Sequence, residues 1–157
     1  MNKIAQIEDA LVTLLGARKL LRKRSVHWVN QGPDIDIPTA GMVGDHCAVT
    51  AINRAAMAKA VGQDDAYSEL MNYYDPENDI LNCMILEEAN RVHPQPAERD
   101  FDPYSGKRVW ARDKYDSIPD WNDASGRTKR QVLGVFTRVI KKLHRALPAQ
   151  KRKKYDI

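Results

Sequence analysis

The stretch Thr128–Leu147, TKRQVLGVFTRVIKKLHRAL, decides the fold. Val132, Leu133, Phe136, Val139, Ile140, Leu143 and Leu147 recur at three- and four-residue steps, which places them on one side of a helix with 3.6 residues per turn. Thr128 stands three residues before Gln131, the spacing of a capping box, so the helix starts there, and Pro148 closes it. Arg138, Lys141, Lys142 and Arg145 fall outside the apolar stripe. A helix of this kind needs partners to cover its apolar side.

Such partners are legible upstream. Ile4, Ile7, Leu11, Leu14, Leu15, Ala17 and Leu21 predict a helix over about 3–23, ending in Arg18, Lys19, Arg22, Lys23 and Arg24. Ser25–Val29 reads as a short extended piece, and the chain then loops through Gly32-Pro33 and the alternating Asp34–Pro38. Gly44-Asp45 before Cys47, Ala48, Val49, Ala51 and Ile52 predicts a second helix with Asp45 as its cap and Gly62 as its stop. Ala51, Ala55, Ala56, Ala58 and Ala60 keep it thin, so a neighbour can approach closely. A third helix is expected over 65–74 and a fourth from Asp75-Pro76 to His93-Pro94. The fold expected is therefore mainly α: a compact bundle of about five helices with at most short extended pieces.

Residues 93–125 hold Pro94, Pro96, Pro103, Gly106 and Pro119 and lack a helical period. They read as one long irregular connection, held down on the helices by Phe101, Tyr104, Val109, Trp110, Tyr115, Ile118 and Trp121. Residues 1–148 are expected as a single helical domain, and 149–157, with its Lys151–Lys154 run, as a basic, solvated tail.

Composition sets the function classes. At 157 residues and 43% apolar, one core can form. No secretory h-region opens the chain and no run of eighteen uncharged apolar residues occurs, which predicts neither a signal peptide nor a membrane span. Cys47 and Cys83 are not spaced as C-x-x-C, and a reducing, cytoplasmic setting fits them. The net charge of +4 conceals segregation: 6 basic against 2 acidic residues in 1–30, 8 against 18 in 31–125, and 11 against 1 in 126–157. If the two end segments pack side by side, they offer a cationic face to phosphates or to an acidic protein.

Three landmarks, in order along the chain, carry a family likeness: Trp28-Val-Asn-Gln31-Gly32 after the first helix, Cys47-Ala48-Val-Thr50-Ala51 opening the second, and Trp121-Asn122-Asp123-Ala-Ser-Gly126-Arg127-Thr128 before the last. On these the chain resembles a family of small bacterial and phage proteins of unknown function. Thr50, Ser125 and Gln131 depart from the residues usual there, which are glycine, proline and glutamate. The resemblance implies an architecture and a bacterial or phage setting, and assigns no catalytic residue.

Candidate chemistry divides in two. In the first reading the protein is a non-enzymatic binding or regulatory protein that docks on nucleic acid, or, as an inhibitor, on a nucleic-acid-handling protein complex, through Arg18, Arg22, Lys23, Arg24, Arg127, Arg138, Lys141, Lys142 and Arg145. Arg127 has two roles open to it, an internal salt bridge with Asp123 or Asp120 and a fork for an external phosphate or carboxylate. In the second reading Cys47, in the first turn of a helix, is the nucleophile of a cysteine hydrolase or transferase, with His93 or His27 as base and Asn122 or Asp123 as orienting group. The competing structural reading makes Cys47 a buried helix contact. Paired acids such as Asp34/Asp36, Asp64/Asp65 and Glu87/Glu88 read as loop, cap and exposed helix positions. His27, His46, Cys47, Cys83 and His93 lack metal-ligand spacing, and no cofactor motif occurs.

Overall fold

The computed structural model describes residues 2–24, 26–28, 44–60, 80–111 and 113–157. The expected loop through Asp34–Pro38, the helix over 65–74, the Asp75-Pro76 start and the Gly62 stop lie outside these residues.

Helix α1 spans Lys3–Arg22, capped by the Asn2 side chain, which accepts from the Ile4 amide. Its buried line, Ala10, Leu11, Leu14, Ala17, Leu20 and Leu21, follows the expected period. Strand β1 (Val26–Trp28) pairs in parallel with β2 (Gly44–His46). Helix α2 spans Ala48–Ala60, so it starts later than the Asp45 cap would have it, because Gly44–His46 is taken up by the strand pair. Cys47 is the residue that caps it. Helix α3 covers Ile80–Val92 and stops before His93-Pro94 as expected.

The expected irregular connection is instead structured. Strands β3 (Glu98–Asp102) and β4 (Lys107–Ala111) form an antiparallel hairpin, and helix α4 spans Ile118–Asp123. Asp102 builds the turn: its carboxylate accepts the Tyr104 amide at 3.0 Å, its carbonyl accepts the Gly106 amide at 2.9 Å, and Gly106 takes a left-handed φ of 66°. Nor is the hairpin held down. Phe101, Tyr104, Val109 and Trp110 are 59%, 99%, 43% and 72% exposed, while Ile118 and Trp121 do join the core.

Helix α5 (Lys129–Ala146) has the full capping box, the Thr128 hydroxyl accepting the Gln131 amide and the Gln131 side chain accepting the Thr128 amide. Helices α1, α2, α3 and α5 pack around a core in which Leu11, Leu14, Leu81, Ile85, Phe136, Ile140 and Leu143 are fully buried. The thin face of α2 serves close approach: a side chain at Gly16 of α1 would meet the Ala55 Cβ at 3.1 Å. The protein is mainly helical.

Residues 149–157 make contacts that a solvated tail would not. A short helix α6 (Ala149–Arg152) follows Pro148, the Arg152 carbonyl lies 3.2 Å from the His144 ring, and Lys151 and Tyr155 both bond to Glu8 of α1. The tyrosine ring supplies apolar surface that the lysine run hides from view.

Candidate functional site

The cations of α5 follow from its period. At about 100° per residue, Arg138, Lys141, Lys142 and Arg145 fall within roughly 100° of arc on the side away from the core. Arg138, Lys141 and Arg145 are exposed and Lys142 is half-buried. One buried acid borders the stripe: Glu88 of α3 is 1% exposed, 2.7 Å from Lys142, 3.9 Å from Arg138 and hydrogen-bonded to Arg91. The Arg91 hydrogen bond is the largest influence on its carboxyl, and together with Lys142 it outweighs burial and holds the pKa down to about 2. Glu88 was expected on an exposed face. Its burial ties two stripe residues to α3, while among the described residues Lys141 and Arg145 have no acidic partner.

The second basic group closes α1. Glu8, early in α1, meets Lys151 and Tyr155 just beyond the C-terminal end of α5, and Arg22 lies fourteen residues further along α1, about 21 Å along the axis. Arg22, Lys23 and Arg24 are exposed and Arg18 is half-buried, its pKa lowered by burial and by Arg22.

Arg127 faces inward. It is 9% exposed, and its Nε donates to the Trp121 carbonyl at 2.9 Å and its Nη2 to the Tyr115 hydroxyl at 3.3 Å. Its guanidinium carbon lies 5.1 Å from the Trp121 ring centroid and 5.7 Å from that of Tyr115. The salt bridge with Asp120 or Asp123 is not formed: Asp120 accepts from the Ser117 hydroxyl and Asp123 from the Asn122 amide. Burial lowers the Arg127 pKa. His93 stacks on Trp121 with centroids 6.3 Å apart, and its pKa is lowered by burial, then by Arg127 and Arg138. His93 Nδ1 and Trp121 Nε1 are buried without hydrogen-bond partners among the described residues. The Trp121–Thr128 segment is therefore a keystone joining α3, α4 and α5, with Gly126 at φ 76° to make the turn.

Cys47 is 6% exposed. Its Sγ accepts the Thr50 amide at 3.4 Å and lies 3.3 Å from the Thr50 hydroxyl, while Asn122, fully buried, accepts the Ala48 amide at 3.0 Å. The structure brings Cys47 and Asn122 together at one helix start. There both satisfy amides at the opening turn of α2, while His93 packs against Trp121. The His27 side chain lies outside what is described. Among the described residues, no group of three or more His, Cys, Asp or Glu side chains could hold a metal ion, and no helix is long and apolar enough to cross a membrane.

Helices with a one-sided cationic stripe, clasped by a buried arginine–aromatic keystone, define a small mainly helical protein. Residues 7–142 match the profile of a family of unknown function, DUF6197, and the chain belongs to that family. No curated protein and no solved structure gives a significant match.

Proposed function

We propose that the protein is a non-enzymatic binding protein that docks on nucleic acid through the cationic side of α5. The observation that carries this reading is the alignment of Arg138, Lys141, Lys142 and Arg145 on one side of a single helix, with Lys141 and Arg145 exposed and free of acidic partners among the described residues. Phosphates spaced along a backbone suit such a row, because each cation that contacts one releases a condensed counterion. Gly134 belongs to the same row. It is exposed in mid-helix, and a Cβ there would meet nothing within 4 Å among the described residues, so their packing does not require a glycine. A bare backbone at this point lets a partner come close.

The test is binding of a labelled mixed-sequence DNA duplex over a salt series. Affinity is expected to fall steeply and log-linearly with salt, and the exposed-site double variant Lys141→Glu/Arg145→Glu is expected to lose at least about tenfold at low salt. Absence of binding by the parent protein at low salt would overturn the reading and leave an acidic protein as the partner.

A further inference from the structure

The β3–β4 hairpin has two chemically different faces. Residues directly opposite in an antiparallel pair project to the same side, and successive residues alternate. The register pairs Arg99 with Trp110 and Phe101 with Arg108, so two arginines and two aromatic rings share one face, each ring diagonal to the other. Glu98, Asp102, Lys107 and Val109 fall on the opposite face, where Asp102 stands across from Lys107. All four members of the first face are exposed, Trp110 at 72% and Phe101 at 59%, and Tyr104 at the tip is 99% exposed. Among the described residues, no acid pairs with Arg99 or Arg108.

An indole 72% exposed and a phenyl 59% exposed are costly to leave in water. Flat rings alternating with guanidinium groups match one polymer in both respects: unpaired bases stack on the rings, and the phosphates that link them meet the arginines. Diagonal neighbours on such a ribbon stand about 7–8 Å apart, which leaves room for a base against each ring. A duplex, with its bases already stacked on each other, can use only the charges.

We infer that this face of the hairpin is a stacking platform for single-stranded nucleic acid, indifferent to the sugar because stacking reads only the base. The inference rests on the proposal that the protein binds nucleic acid, and adds to the charge row of α5 a second surface that selects unpaired strands.

Fluorescence anisotropy with a single-stranded DNA oligonucleotide, its RNA counterpart and the corresponding duplex tests it. The parent protein is expected to bind both single strands alike and more tightly than the duplex. Trp110→Ala is expected to weaken single-strand binding about 5- to 100-fold with duplex binding unchanged. Arg99→Ala/Arg108→Ala is expected to flatten the salt slope for single strands by about one to two. These side chains are exposed, so both variants are expected to keep the parent circular dichroism spectrum. Equal affinity for strands and duplex, with Trp110→Ala matching the parent, would overturn the platform and leave the α5 proposal standing. No binding of any oligonucleotide at low salt would overturn both.

Discussion

Glu88 is a carboxylate buried where helix chemistry ordinarily puts leucine. Its pKa of about 2 lies below the ordinary glutamate value of 4.5, so between these pH values the unfolded chain binds more protons than the folded one. Its contribution to stability is complete above about pH 4.5 and is lost as the pH falls through 2. Glu88→Gln is expected to cost about 1–3 kcal/mol at neutral pH, less than the full shift implies because Arg91 and Lys142 are partly solvated, and to converge on the parent near pH 2; urea unfolding across that range checks it. The position was legible in part. Residue 88 follows Leu81 by seven and Ile85 by three, which puts it on the apolar stripe, but a charged pair at 87–88 reads as solvated unless the cations on another helix are known to meet it. Arg127 was misread for the same reason. Local acids are the partners a sequence displays, whereas the Tyr115 hydroxyl, the Trp121 carbonyl and two ring faces become partners only after the turn at Gly126 has brought them round. Arg127→Lys keeps the charge but loses the planar fork and its stacking; a loss of about 1–2 kcal/mol in urea unfolding is expected.

Helices were easier to read than the segment between them. The capping box at Thr128, the stop before Pro94 and the close contact predicted for the alanine-rich α2 all appear, because each rests on a short-range rule. Gly134 gives a direct check on element stability: with open space around it, Gly134→Ala is expected to stabilise α5 by about 0.5–1 kcal/mol, raising Tm by about 1–4 °C, while weakening duplex binding if the bare backbone is an approach point. Gly16 behaves oppositely, since Ala55 already stands where a side chain would begin, and Gly16→Val is expected to cost about 1–3 kcal/mol by overpacking. The hairpin escaped the sequence reading although its signals were present: alternation in Arg99/Phe101 and Arg108/Trp110, and a turn in Asp102-Pro103 closed by Gly106. Its rings were read as anchors to the helices. Aromatic chemistry does not say whether a ring packs on its own chain or on a partner's, and only the exposure of Trp110 separates the two.

At the scale of the molecule, charge segregation along the chain was plain, but its disposition in space depends on how α1 and α5 run past one another. The contacts of Glu8 beyond the end of α5 fix the start of α1 against the last residues of the chain. Removing residues 149–157 exposes the part of α1 that Tyr155 covers, and the truncated chain is expected to unfold at lower urea than the parent, while leaving Arg138, Lys141, Lys142 and Arg145 in place to bind duplex DNA. The hydrogen bond between Tyr155 and Glu8 spans 147 residues, so closing it carries the loop entropy of nearly the whole length. It also makes neighbours of the two extremities: a circular permutant, sealed by a short linker across that bond and reopened at the Pro103–Gly106 turn, would keep every helix of the core while beginning and ending at the hairpin tip.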